Sequence, residues 1–215
     1  MKKGLLMMFE DLKKYFENFT VTANTLYEDG RINSINDEES ILALIKTNPP
    51  KGYTVLNAPP RYWYDFALVN NTEFYPINIK STSGHSADNI SSKEGMYYAL
   101  TGRDPKKDKI TTFENFNKKI IEYYKEDITA DYFFLVFLKN QGSLFFTSLK
   151  RLETIVSNGN NLPFQCKWEN NLNYTERSCP EQSKYILNTY IDSFMKRTPG
   201  LDYLLNWREA NELKN

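Results

Sequence analysis

The chain has 215 residues, of which 40% are hydrophobic and 25% are charged, a composition typical of a folded globular protein and not of a disordered, collagenous or coiled-coil chain. Its 27 basic residues balance its 27 acidic residues, so bulk attraction to a polyanion is excluded and any nucleic acid must be met by a local basic patch. Two cysteines and one histidine are too few for a disulfide framework or an all-Cys/His zinc site, and no run approaches the roughly 18 apolar residues that span a bilayer, so we expect a cytoplasmic protein with reduced thiols.

The first part of the chain predicts two helices. Apolar residues recur at helical spacing from Leu5 to Phe16, with lysine and glutamate between them, and predict the first helix. A turn is predicted at residues 28–30. Asn36-Asp37 is predicted to cap a second helix, which Pro49-Pro50 ends.

Two strand-like runs follow, from Tyr62 to Val69 and from Phe74 to Ser81, joined by a turn-prone Asn-Asn-Thr. With the turn centred there, Asp65 pairs with Asn78 across the hairpin. Side chains two residues apart share a face of a strand, so Lys80 joins Asp65 and Asn78. The opposite face carries apolar side chains, namely those of Phe66, Leu68, Ile77 and Ile79. The sequence therefore predicts that an aspartate, an asparagine and a lysine meet at one place on a rigid hairpin.

The second half of the chain predicts three more helices and a central strand pair. The helices are centred on residues 96–100, 113–124 and 186–194, and Gly102 is expected to cap the C-terminus of the first of them. The last helix begins with a capping box, Ser178 to Glu181, with proline at the first helical position. Residues 132–138 are continuously apolar, which is typical of a strand covered on both faces, and Asn140-Gln141-Gly142 turns the chain into a partner strand. We therefore predict an α/β fold, with a central mixed β-sheet flanked by helices, in a single domain over residues 1–215.

Asp65, Asn78 and Lys80 are the residue types required for metal-assisted hydrolysis of a phosphodiester. Carboxylate and amide oxygens are hard ligands that suit Mg²⁺, and a lysine can stabilise or orient the attacking hydroxide. A third carboxylate is expected at Glu38 or Glu39, near the start of the second helix, and we assign Glu39 to the metal site with Asp65 and Asn78. The alternative interpretation is a solvated hairpin face on which Asp65 and Lys80 form a cross-strand ion pair.

The residues around this hairpin resemble a known nuclease family. Tyr-Asp65-Phe-Ala-Leu-Val followed by Ile-Asn78-Ile-Lys80-Ser-Thr is similar to the catalytic hairpin of the PD-(D/E)xK nucleases, in particular the EcoRV-like branch of the type II restriction endonucleases. The resemblance covers about residues 28–82, including the helix before the hairpin. Two positions depart from the family: Tyr64 stands where the family usually has proline, and Asn78 replaces the second acidic residue of the motif.

This resemblance implies a restriction-endonuclease-like core and a site-specific endodeoxyribonuclease of a restriction-modification system, which hydrolyses double-stranded DNA at a short palindrome with Mg²⁺. It makes Asp65 the metal-ligating aspartate, Asn78 the second metal-site residue and Lys80 the catalytic lysine. A homodimer is implied, because one site cuts one strand and two-fold symmetry matches a palindrome, and so is a cognate DNA methyltransferase that protects the host. Three alternatives stay open: a repair or recombination nuclease of the same fold, a catalytically inactive DNA-binding protein, and an unrelated globular protein.

Two polar segments, residues 83–109 and 157–170, are candidates for DNA recognition. Their short hydrogen-bonding side chains can contact phosphates or base edges, and asparagine can bond bidentately to adenine. The candidate DNA-binding residues are Ser83, His85, Asn89, Lys93, Arg103, Asn160 and Gln165. The alternative is that both segments are surface loops with Asx-turns and a solvated basic face.

Overall fold

The computed structural model describes residues 3–23, 30–90, 92–160, 163–197 and 202–211, so most of the predicted turn at 28–30 lies outside the described residues. The helices are α1 (Lys3–Glu17), α2 (Gly30–Thr47), α3 (Lys93–Thr101), α4 (Phe113–Tyr123), α5 (Cys179–Met195) and α6 (Asp202–Ala210). The strands are β1 (Thr54–Asn57), β2 (Phe66–Val69), β3 (Phe74–Thr82), β4 (Ala87–Asn89), β5 (Phe133–Leu138), β6 (Ser143–Ser148), β7 (Val156–Ser157) and β8 (Phe164–Lys167).

The chain divides into two compact units. The first unit contains Met1–Ser86 and Tyr132–Ser148, and the second contains Ala87–Asp131 and Leu149–Asn215. Each unit is described by itself below. The assignment of all 215 residues to one nuclease domain stays a prediction.

The first unit is built on a five-stranded mixed sheet with the strand order β1-β2-β3-β5-β6. Strands β3 and β5 are parallel, whereas every other neighbouring pair is antiparallel. Helix α1 packs against β6, and helix α2 packs against β3. These features confirm the predicted α/β fold with a central mixed sheet flanked by helices. Strand β1 was not predicted, because its four residues are largely exposed at the sheet edge and carry little apolar pattern.

The hairpin of β2 and β3 has the predicted register. Phe66 pairs with Ile77, and the backbone N–H of Asp65 donates to the carbonyl of Ile77 over 2.9 Å. The side-chain oxygen of Asn70 accepts hydrogen bonds from the two backbone N–H groups that follow in the turn, which closes the hairpin. The regular strand begins at Phe66, later than predicted, because the chain turns just before it. Asp65 therefore lies at the entrance to β2.

The core of the first unit lies on both sides of β5. All six residues of β5 are buried, as their continuous apolar run predicts. Phe9 and Phe16 of α1 pack their rings on Phe146 of β6, at centroid distances of 5.2 and 5.0 Å. The hydroxyl of Tyr132 donates to the carbonyl of Trp63 over 2.6 Å. This bond ties the segment before Asp65 to the beginning of β5.

Helix α2 begins at Gly30, earlier than the sequence predicted. Asn36-Asp37 therefore lies inside the helix, and its prediction as a cap is wrong. Asp37 is fully buried together with Ile41 and Ile45, which follow it at intervals of one helical turn. The sequence favours a cap at Asp37 because carboxylates are rarely buried on the inner face of a helix. The helix ends at Thr47, before the two prolines, as predicted.

The second unit contains the four remaining helices and a three-stranded antiparallel sheet with the order β4-β8-β7. The predicted caps are confirmed: Ser178 and Glu181 form the capping box of α5, and Gly102 ends α3 with a φ of 69°. The small sheet occupies segments predicted as polar loops, because strands of two to four residues leave no clear periodicity. Within the described ranges no helix is both long and apolar enough to cross a membrane.

Candidate functional site

Asp65 is held at the entrance to β2 by two hydrogen bonds from β3. Its Oδ2 accepts from the Nδ2 of Asn78 over 2.8 Å and from the backbone N–H of Ile79 over 2.6 Å. Its Oδ1 has no hydrogen-bond partner among the described residues. The predicted meeting of Asp65 and Asn78 is therefore present, and one carboxylate oxygen is available to a ligand.

Asn78 contributes a buried oxygen without a partner. The Nδ2 of Asn78 donates to Asp65, so its Oδ1 is the amide atom that remains for another partner. The Oδ1 atom is buried and accepts no hydrogen bond from any described residue. An unsatisfied buried polar atom costs about 1–3 kcal/mol. This oxygen is therefore able to accept a hydrogen bond or to bind a cation.

Helix α2 brings a second carboxylate to the hairpin. The pKa of Glu38 is raised to about 7, chiefly by burial and secondly by the negative charge of Asp65, against the lowering effect of the positive charge of Lys80. Burial also raises the pKa of Asp65, against the lowering effects of the Ile79 N–H and of Lys80. Each of these three charged side chains acts on another, so Glu38, Asp65 and Lys80 form one electrostatic cluster.

Glu38, and not Glu39, is the acidic residue that α2 contributes to this cluster. Glu39 is exposed, whereas Glu38 is partly buried. Successive residues of an α-helix are rotated by roughly 100° about its axis, so only one of the two can face the hairpin. Glu38 is therefore the carboxylate of the candidate site, and the exposed position of Glu39 does not support its expected role as a metal ligand.

A buried polar network fixes α2 against β3 beside the cluster. The carboxylate of Asp37 is fully buried, accepts a hydrogen bond from the Ser81 hydroxyl over 2.8 Å and pairs with the ammonium of Lys139 at 3.2 Å. Asp37 precedes Glu38 in α2, and Ser81 follows Lys80 in β3. The network therefore positions the backbone on both sides of the cluster. Sequence reasoning missed it, because Lys139 lies about a hundred residues beyond Asp37.

The cluster has the oxygen donors that a hard cation requires. Within the described ranges no three His, Cys, Asp or Glu side chains lie together as a metal-binding group. A cation here would instead be held by the carboxylates of Asp65 and Glu38 and by the amide oxygen of Asn78. The unpartnered oxygens of Asp65 and Asn78 fit such a cation. The raised pKa values of both carboxyl groups fit it as well, since a nearby positive charge would lower them.

Glu38→Gln is expected to stabilise the metal-free protein at alkaline pH. Because the pKa of Glu38 in the folded protein, about 7, lies above its ordinary value of 4.5, its contribution to stability is complete below pH 4.5 and is lost as the pH rises through 7. The variant should therefore match the wild type near pH 4 and exceed its free energy of unfolding by about 1–2 kcal/mol at pH 8, after allowance for partial exposure.

Urea unfolding at both pH values, in the presence of EDTA, measures this difference. Glu39→Gln is the matched control, because that side chain is exposed, and it should stay within about 0.5 kcal/mol of the wild type at both pH values. A Glu38→Gln protein that is less stable than the wild type at pH 8 would contradict the burial of an ionised carboxylate at this site.

Two predicted recognition residues lie in the first unit, directly after β3. Ser83 and His85 are both exposed. The carbonyl of Ser83 accepts a hydrogen bond from the side chain of Asn140 over 3.3 Å. Their role in DNA binding stays a prediction.

Two predicted cationic contacts in the second unit are already engaged within the protein. The guanidinium of Arg103 donates to both carboxylate oxygens of Asp108 at 2.6 and 2.8 Å and lies 3.9 Å from the ring centroid of Tyr123. Lys93 pairs with Glu94 at 3.7 Å. Neither cation is presented as a free phosphate contact, and Arg103 would have to break a bidentate pair to become one.

The remaining predicted recognition residues meet in the second unit. Asn89 of β4 and Gln165 of β8 are cross-strand partners, and the carbonyl oxygens of both side chains accept from the Nδ2 of Asn158, at 3.0 and 3.1 Å. Asn160 is exposed, and its backbone N–H donates to the Oδ1 of Asn158 over 2.9 Å. Sequence reasoning missed Asn158, although this residue lies within the polar segment 157–170 that was predicted to contact DNA.

Comparisons with known proteins do not assign the chain to a family. No protein-family model matches it, and no curated protein matches its sequence. The resemblance to the PD-(D/E)xK nucleases therefore depends on the hairpin and on the residues gathered around it.

Proposed function

We propose that the chain is a Mg²⁺-dependent endodeoxyribonuclease that cuts double-stranded DNA at a short specific site, as a type II restriction endonuclease with a PD-(D/E)xK hairpin does. The observation that carries this proposal is the convergence of Glu38, Asp65, Asn78 and Lys80 on one hairpin, with the buried amide oxygen of Asn78 left without a partner. The order of elements supports a restriction-endonuclease-like core: a helix, three antiparallel strands, and then β5 parallel to β3.

The side chains of the site have two roles: some would bind a cation, and Lys80 would contact the reacting groups. Asp65, Glu38 and the amide oxygen of Asn78 would hold Mg²⁺, which when bound supplies stabilisation of the negative charge that develops on the phosphate oxygens. The hydrogen bonds from Asn78 and from the backbone of Ile79 fix the carboxylate of Asp65, so that its orientation is set before any ligand arrives.

Lys80 supplies the positive charge that acts on the attacking water. It lies close enough to lower the pKa values of Glu38 and Asp65, yet it forms no ion pair within 4 Å with any described residue. Its ammonium can therefore donate hydrogen bonds to a water or hydroxide and to a phosphate oxygen. A lysine locked into an ion pair would not be available for both.

The proposed function implies two protein partners, a second copy of the chain and a DNA methyltransferase. A second copy of the chain would place a second hairpin on the opposite strand of a palindrome, and a cognate methyltransferase would protect the host genome. The net charge of zero supports discrimination by base contacts over bulk attraction to phosphates.

The test of this proposal is cleavage of plasmid and phage DNA by the purified protein in Mg²⁺, in Mn²⁺ and in EDTA. Discrete fragments that require the metal, with one sequence at every end, are expected. Products that form only from flaps, mismatches or free ends would favour a repair or recombination nuclease instead.

The asparagine at position 78 gives specific support to one alternative, a DNA-binding protein that has lost its activity. Intact DNA with both metals, together with a gel shift, would favour that alternative. Asn78→Asp then tests the cause, because it restores the second carboxylate of the motif and should increase metal affinity. Cleavage by this variant alone would show that the wild-type site lacks only that charge.

A further inference from the structure

The three-stranded sheet of the second unit has one buried face and one exposed face. Paired residues on neighbouring strands share a face, and so do residues two apart along a strand. On one face, Phe164 and Cys166 are 0% and 1% exposed. The other face carries Ala87, Asn89, Val156, Gln165 and Lys167, which are exposed except for the partly buried Gln165. Asn89, Gln165 and Val156 form one row across all three strands.

Asn158 fixes the orientation of the two amides in this row. It is 9% exposed, its backbone N–H and carbonyl both bond to the hydroxyl of Ser193, and its Oδ1 accepts from the backbone of Asn160. Its Nδ2 is therefore held in place as a donor, and it bonds to the carbonyl oxygens of Asn89 and Gln165.

This arrangement leaves two amide N–H₂ groups without partners. Because the carbonyl oxygens of Asn89 and Gln165 are held by Asn158, their nitrogens are the groups left to bind a ligand. Neither the Nδ2 of Asn89 nor the Nε2 of Gln165 donates to any described residue. The exposed row therefore presents two neighbouring hydrogen-bond donors of fixed orientation.

The dimensions and chemistry of this face match the major groove of DNA. Three strands about 4.8 Å apart span roughly 10 Å, within the roughly 12 Å width of the major groove. The groove edge of guanine presents two adjacent acceptors, O6 and N7, whereas adenine presents one acceptor and one donor. The small apolar side chains of Ala87 and Val156 can contact thymine methyl groups, and the exposed Lys167 can contact a phosphate.

We propose that the exposed face of the β4-β8-β7 sheet reads the major groove of double-stranded DNA, with Asn89 and Gln165 donating to guanine and with Asn158 as the positioning residue that selects donors over acceptors. This inference rests on the proposed action on DNA, but it concerns residues of the second unit only and does not require the hairpin to be catalytic.

The experiment is selection of bound duplexes from a random-sequence library with the full chain, in EDTA and, on a Lys80→Ala background, in Mg²⁺. The wild type should enrich a short motif that contains guanine. Asn89→Ala and Gln165→Ala should each reduce the preference for guanine at one position by about ten- to a hundredfold, with little change in non-specific affinity or its salt dependence. Asn173→Ala, an exposed amide outside the sheet, should leave the motif unchanged.

Asn158→Asp gives a readout that a merely structural role would not. The aspartate keeps an oxygen for the backbone of Asn160 but has no N–H to donate, so Asn89 and Gln165 should turn their nitrogens toward it and their oxygens outward. The selected motif should then change from guanine to bases that present a donor, adenine or cytosine. Asn158→Ala should lose the preference without acquiring a new one, and thermal unfolding of each variant identifies any that fail to fold.

The outcomes separate this inference from the proposed function. If Asn89→Ala and Gln165→Ala select the wild-type motif, or if the wild type binds with no preference, the reading face is overturned while cleavage can still stand. If the variants change the motif but the wild type never cleaves, the face stands and the nuclease proposal fails. A wild type that binds no DNA overturns both.

Discussion

Lys80→Ala is expected to lower the single-turnover rate of DNA cleavage by about 10²- to 10³-fold. The loss follows from the position of Lys80, whose charge acts on both carboxylates of the cluster while its ammonium is engaged in no ion pair with a described residue. Because the interaction forms with the reacting groups, the rate should fall while DNA affinity, measured by gel shift, changes little.

The matched control is Lys51→Ala, which removes an exposed lysine from the turn before β1 in the same unit. It should cleave at the wild-type rate. Asp65→Asn should be as damaging as Lys80→Ala, and it should also abolish the binding of Mn²⁺ measured by calorimetry. If Lys80→Ala cleaves like the wild type, the hairpin face is a solvated surface and the nuclease site must be sought elsewhere.

Lys139→Met is expected to reduce the free energy of unfolding by about 3 kcal/mol, because it removes the cationic partner of a buried carboxylate. The carboxylate of Asp37 is 0% exposed and would lose the ammonium 3.2 Å away while keeping the hydroxyl of Ser81. Removing the cationic partner of a buried carboxylate is costly, so the loss should exceed that for an exposed pair. Urea unfolding at pH 7 measures the change.

The control is Lys13→Met, which removes one partner of an ion pair on α1, with side-chain exposures of 29% and 40%, and should cost less than about 1 kcal/mol. The double variant Asp37→Asn with Lys139→Met should recover part of the stability, since it removes both charges. Equal losses for Lys139→Met and Lys13→Met would show that Asp37 does not depend on Lys139.

Local chemistry explains why the hairpin could be predicted. Asn70 closes its own turn through backbone bonds to the following residues, and strict alternation allows a single pairing in which Phe66 faces the core. The position of Asp65 opposite Asn78 follows from those two facts. The caps at Ser178 and Gly102 were predictable for the same reason, because each bond joins residues a few positions apart.

The partners of the hairpin could not be predicted, because they depend on contacts between distant segments. Choosing Glu38 over Glu39 requires the rotational phase of α2, and the buried Asp37 conceals that phase until its partner Lys139 is known. The amides of Asn89 and Gln165 could not be assigned a common partner for the same reason. Each was predicted as a polar loop residue, and their shared contact with Asn158 forms only when strands of two to four residues pair.

The path of the chain between its two units has a consequence for how the protein can be divided into fragments. The backbone passes from one unit to the other three times, after Ser86, after Asp131 and after Ser148, because Ala87–Asp131 is inserted between the neighbouring parallel strands β3 and β5. Neither unit is therefore a continuous stretch of sequence. A single truncation or proteolytic cut therefore cannot release either unit intact, and a fragment that holds one complete unit has to be joined from two separate segments of the sequence.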